Sequence, residues 1–120
     1  MTYLGWKVRN LRHRLFVNFQ GKLILHSIDQ GVLNRRQLAK FLIEEKLSAD
    51  VNMKITRKNF EDMVEEIIDL VPTENREIYY VPSRFVDGRK MSCKGILYDN
   101  YCNNRKKFIK LGLIQKGHKM

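Results

Sequence analysis

Apolar residues recur at intervals of three and four through Leu4, Val8, Leu11 and Leu15, with Arg9, Arg12 and Arg14 at polar positions between them, which predicts an amphipathic helix. Leu23, Ile24, Ser27 and Ile28 keep helical spacing up to Gly31. Leu15 to Phe19 and Lys22 to His26, flanking Gln20-Gly21, also have the composition of a short hairpin, and helix is the preferred reading. Asn34 followed by Gln37 forms a capping-box-like start, and Leu38, Phe41 and Leu42 give one apolar face to about Lys46. The strongest pattern follows Thr56, a cap for a helix carrying Phe60, Met63, Val64, Ile67, Ile68 and Val71, which Pro72 ends. Ile78, Tyr79, Tyr80 and Val81 read as a strand that Pro82 confines to an edge or bulge, and Asp87-Gly88 is a hairpin turn. From about Asp99, Tyr101, Arg105, Phe108 and Ile109 predict a last helix with Gly112 as its C-terminal cap.

These elements predict a mainly α fold with a β-hairpin, of α+β class. At 120 residues and 43% hydrophobic content, residues 1–120 form one domain able to bury a core without disulfides or metals. Cys93 and Cys102, the only cysteines, are too few for a four-cysteine zinc site, and His13, His26 and His118 have no finger spacing beside them. No metal or cofactor is expected, and both thiols are expected to be reduced. No apolar run reaches the roughly 18 residues that span a bilayer, and the N-terminus does not read as a secretory signal. The expectation is an intracellular protein, cytoplasmic or in the nucleoid or nucleus, without a membrane partner. Lys7, Arg9, Arg12, Arg14 and Lys22, with no acid before Asp29, also match the composition of a mitochondrial presequence.

Charge changes the picture more than composition does. The formal net charge is +10, which favours an anionic partner. It is distributed in blocks: Glu61, Asp62, Glu65, Glu66, Asp69, Glu74 and Glu77 stand against Arg76 alone, whereas residues 88–120 hold Asp99 as their only acid. A polarised surface follows, and the plainer alternative is a pair of solvated faces.

The order of three helices and a hairpin over residues 23–97 resembles a winged helix, a helix-turn-helix variant in which a hairpin follows the third helix. The segment from Ile28 to Ala39 resembles the end of the first helix and the start of the second in such domains. The segment from Asn103 to Ile114 resembles a recognition helix passing into its wing. The resemblance implies extra N- and C-terminal helices and two registers. In the first, the third helix lies at 56–70 and the wing at 78–97; Arg57 and Lys58 then occupy the end that reads DNA, with Arg35 and Arg36 nearby. In the second, Arg105, Lys106, Lys107 and Lys110 meet phosphates, supported by Arg89, Lys90 and Lys94 around the hairpin. Acidic residues along 61–69 weigh against the first register. Asn103 and Asn104 are read chiefly as caps.

No Gly-rich phosphate loop, paired-histidine motif or nucleophile with its base is present, so no enzymatic activity is expected. The leading expectation is a regulator of transcription or replication that binds duplex DNA in preference to RNA. An RNA-binding alternative uses Tyr79, Tyr80 and Phe85 with Arg84 as stacking surfaces, although strand aromatics are more often core. A second alternative is a protein-binding inhibitor or adaptor, of viral or plasmid type, that meets a partner or a second copy through the acidic helix 56–70.

Overall fold

Side-chain caps divide the chain into its helices. The computed structural model describes residues 10–114, with elements α1 (Leu11–Phe16), α2 (Phe19–Asp29), α3 (Arg35–Ala49), α4 (Arg57–Leu70), α5 (Arg76–Tyr79), β1 (Arg84–Val86), β2 (Arg89–Met91) and α6 (Ile96–Lys110). It is mostly helical with one two-stranded antiparallel hairpin, the α+β class expected. Asn10, Asn18 and Asn34 accept hydrogen bonds from the backbone N–H of His13, Gly21 and Gln37, each satisfying an otherwise orphaned donor in a first turn. At α4 the exchange is reciprocal: Thr56 Oγ1 accepts from Asn59 N at 3.2 Å, and Asn59 Oδ1 accepts from Thr56 N at 3.0 Å.

The buried apolar side chains, Ile114 apart, form one cluster. Leu38, Ala39, Leu42, Ile43 and Leu47 project from α3, and Phe60, Met63, Val64 and Ile67 from α4. Leu11, Leu15, Ile24 and Leu25 close it on one side, and Tyr79, Leu97 and Tyr101 on the other. Gly21 sits where α1 turns back on α2, and a Cβ there would lie 2.7 Å from the Leu15 carbonyl carbon. Phe60 stacks on Tyr80 at 4.7 Å between ring centroids and meets Tyr98 and Tyr101 edge-on. The Tyr101 hydroxyl donates to Met53 O at 3.2 Å and accepts from Ile55 N at 3.3 Å, tying the α3–α4 connection to α6.

Four boundaries differ from the sequence reading. Residues 78–81 are not a strand: Ile78 and Tyr79 belong to the helical turn α5, Tyr80 is extended, and Val81 makes only an isolated bridge with Lys94. Asn75 starts that turn by accepting from Glu77 N at 2.9 Å. The turn followed by extended backbone buries both Tyr79 and Tyr80, which a strand would send to opposite faces. The hairpin therefore falls nearer its turn, at 84–91, and Asp87 (φ 52°) with Gly88 (φ 78°) gives the left-handed pair of a two-residue type I′ loop. Helix α3 continues past Lys46 to Ala49, and α6 begins at Ile96 rather than near Asp99. The opening helix is found from Leu11, the hairpin alternative near Gly21 is not, and the part assigned to Leu4 and Val8 lies outside the described residues. Gly112 ends α6 as expected, with φ 78° and Leu113 N donating to Phe108 O.

Candidate nucleic-acid interface

Many of the cations on α1, α3 and α4 are consumed inside the molecule. The Arg14 guanidinium donates to Glu45 of α3 (Nε to Oε2, 3.0 Å) and to Glu66 of α4 (Nη1 to Oε2, 2.8 Å), joining three helices. The hydrogen bond to Glu66 is the largest cause that raises the Arg14 pKa above its ordinary value, so its charge is fixed at any working pH. Arg57 pairs with Glu61 and Lys58 with Asp62, both at i,i+4 spacing, and Arg76 pairs with Glu65. The acidic face of α4 is thus largely neutralised by the chain itself. Among its carboxylates only Asp69 is in no ion pair among the described residues.

Arg35 is likewise engaged. It donates to Glu74 at 2.7 Å, and the Tyr79 hydroxyl donates to the same carboxylate. The hydrogen bond from Arg35 is the main reason the Glu74 pKa lies below the usual carboxylate range. Burial, then Glu74, raises that of Tyr79. Because the folded-state pKa of Glu74 is lowered, its contribution to stability is complete above the unfolded value of about 4.3. It is lost as pH falls through the folded value. Glu74→Gln is expected to cost about 1 kcal/mol at pH 7 and to flatten the acid limb of a melting-temperature profile from pH 7 to pH 2.5. A variant curve parallel to wild type at every pH would remove Glu74 as a source of acid sensitivity.

Among the described residues the largest group of cations outside ion pairs lies in the last third of the chain, with Lys22, Arg36, Lys46 and Lys54 outside that group. On the hairpin the group comprises Arg84, Arg89 and Lys90, with Lys94 just after it; on α6 it comprises Lys106, Lys107 and Lys110. All are exposed. On α6 the exposed positions Asp99, Asn103, Lys106, Lys107 and Lys110 recur at helical spacing, so its outer face ends in three lysines. Arg105 does not join them. It is half-buried, its guanidinium lies 5.9 Å from the Tyr101 ring centroid, and its Nη1 is buried with no hydrogen-bond partner among the described residues. Arg36 is exposed and outside any ion pair, but it adjoins the paired Arg35.

The sequence reading therefore placed the hairpin and α6 lysines on open surface, but missed the internal pairing of Arg35, Arg57 and Lys58. It gave Arg84 only to the RNA-binding alternative, whereas strand alternation around Asp87-Gly88 sets it on the same face as Arg89. The hairpin and the α6 lysines are not one point of contact. Gly95 begins α6 at the hairpin base, and Lys106 lies eleven residues on, about 16 Å along the helix axis at 1.5 Å per residue. That spacing suits successive phosphates along a backbone better than one small anion.

A groove of about 220 Å³ between α3 and α6 is lined by Lys40, Glu44, Asn100, Asn103, Asn104 and Lys107. Asn104 is buried and donates to Asn100 Oδ1 at 2.8 Å, so it acts as an internal strut rather than a cap. Cys93 and Cys102 are both free and half-buried, and hydrogen bonding to Cys102, then to Cys93, pushes the Tyr98 pKa above its ordinary value and so keeps the hydroxyl protonated. Among the described residues no group of three or more His, Cys, Asp or Glu side chains is arranged to hold a metal ion, and no helix is long and apolar enough to cross a membrane. Comparison of the chain with protein-family models, with curated proteins and with solved structures found no match.

Proposed function

We propose that this chain is a non-catalytic nucleic-acid-binding protein of winged-helix-like organisation, a small regulator of transcription or replication. It engages duplex DNA through the β1–β2 hairpin and the outer face of α6. One observation carries the reading: Arg35, Lys40, Arg57 and Lys58 on α3 and α4 are matched to carboxylates, whereas Arg84, Arg89, Lys90, Lys94, Lys106, Lys107 and Lys110 form an exposed run of cations outside ion pairs. An ion pair within the protein releases no counterion from DNA, so the free cations are the ones that supply affinity. In the first winged-helix register α4 would be the recognition helix. Its leading cations Arg57 and Lys58 are held by Glu61 and Asp62, which favours α6 over α4 as the helix that meets phosphates, although the hairpin precedes α6 rather than following it. With Arg14 and Arg76 also paired to Glu66 and Glu65, Asp69 is the one α4 carboxylate outside an ion pair among the described residues, which leaves little negative charge with which to recruit a basic protein partner.

The test is a binding titration of random-sequence duplex DNA, single-stranded DNA and RNA over a range of salt. The expected result is tightest binding to duplex, with log affinity falling against log salt by about 0.9 for each phosphate contacted. Absence of salt-dependent binding to any of the three would overturn the proposal.

A further inference from the structure

The hairpin carries an aromatic ring that the fold does not use. Register pairs Phe85 directly with Lys90, Arg84 with Met91 and Val86 with Arg89. Alternation therefore puts Phe85 and Lys90 on one face and the two arginines on the other. Phe85 is 74% exposed, the highest value among the large apolar side chains described, and no aromatic ring stacks on it. Tyr79 and Tyr80, the other candidates for stacking, are built into the core. Lys90 makes no ion pair and lies over no ring among the described residues.

We propose that Phe85 is a stacking platform for a single unpaired nucleobase, with Lys90 taking the phosphate of the same nucleotide. The inference rests on the nucleic-acid reading above and names the feature that the hairpin selects. Side chains directly opposite on an antiparallel pair have Cβ atoms about 5 Å apart. Lys90 then extends past the ring edge to the backbone while the ring covers the base. The ring sits on a strand whose loop geometry is fixed by Asp87-Gly88, so little conformational freedom is lost on binding. In a continuous duplex the faces of the bases are covered by their neighbours, and only an unstacked base offers a face to Phe85. Continuous duplex is held by the cations alone. A duplex interrupted by an unpaired nucleotide is held by the cations and the ring.

The experiment compares a continuous duplex with the same duplex carrying a one-nucleotide bulge, using the full chain, Phe85→Ala and Phe85→Trp. Wild type is expected to favour the bulge about ten-fold. Phe85→Ala is expected to lose that preference while keeping its affinity for continuous duplex, and Phe85→Trp to retain the preference. Photo-crosslinking of 5-iodouracil at the bulge is expected to attach to Phe85. Equal wild-type affinity for the two duplexes, or a preference that survives Phe85→Ala, would overturn this inference and leave the nucleic-acid reading standing. Failure to bind either duplex would sink both. Since Phe85 is exposed, the alanine variant is expected to keep the wild-type circular dichroism spectrum.

Discussion

Replacing Lys106, Lys107 and Lys110 together with glutamate is expected to lower affinity for duplex DNA by about two orders of magnitude near 0.1 M salt. The slope of log affinity against log salt should become shallower by about 0.9 for each phosphate contact removed. All three side chains are exposed and outside ion pairs, so no core contact is lost. Lys107 and Lys110 do stand in the last turn of α6, where a negative charge opposes the helix dipole at about 0.3–1 kcal/mol each. A glutamine triple variant separates the two effects, since it removes the charge without that repulsion and should still lose most of the affinity. Reversal of Arg57 and Lys58 is the matched control. Those side chains are held by Glu61 and Asp62, and their reversal should alter binding far less. If the Arg57 and Lys58 variant lost binding while the α6 variant kept it, the interface would have been assigned to the wrong helix.

The largest expected loss of stability comes from one methyl group, in Gly95→Ala. Gly95 has φ 120° and ψ 162°, a backbone region occupied essentially by glycine alone. Its missing Cβ also makes room for the chain behind it: a Cβ there would overlap the Tyr79 carbonyl and lie 2.7 Å from Tyr80 Cα. Neither neighbour is a flexible side-chain end, so relief requires moving the backbone that carries two buried tyrosines. A cost of about 3 kcal/mol or more is expected, read as a lowered denaturation midpoint in urea. Gly88→Ala and Gly112→Ala provide the scale. Both positions have φ 78° with nothing within 4 Å of an added Cβ, and each should cost only about 1–2 kcal/mol. Were Gly95→Ala no worse than Gly112→Ala, the close packing of the hairpin base against α5 would be wrong.

Elements with a local chemical signal were legible in the sequence. Asn34 and Thr56 cap the helices they were expected to cap, Pro72 follows the end of α4, Asp87-Gly88 makes the turn, and Gly112 closes α6. The start of α6 was not legible because Gly95 caps it without any side-chain hydrogen bond. Residues 78–81 misled because Ile, Tyr and Val favour strands wherever packing does not decide; here Asn75 and the burial of two adjacent tyrosines did decide. The candidate interface was half legible. Charge blocks located the free lysines of α6 and the hairpin, while the i,i+4 spacing of Arg57–Glu61 and Lys58–Asp62 was a local signal that the sequence reading passed over. Arg14 with Glu45 and Glu66, and Arg35 with Glu74, join residues 31 or more positions apart, which no local pattern encodes.

The hairpin also has two open edges. Each strand is three residues long, every strand residue is exposed, and among the described residues no further strand pairs with either side. A bare ribbon displaying Phe85, Val86 and Met91 is a template on which another chain could add a strand. Arg84, Arg89 and Lys90 place like charges where such a neighbour would lie and so act as gatekeepers against self-assembly. A sequence change that replaced these three with apolar residues is expected to create an aggregation site and, under the proposed function, to weaken nucleic-acid binding at once. Like charges on Arg84, Arg89 and Lys90 thus oppose edge-to-edge pairing of two such ribbons, and an anionic ligand that neutralised them would remove that opposition.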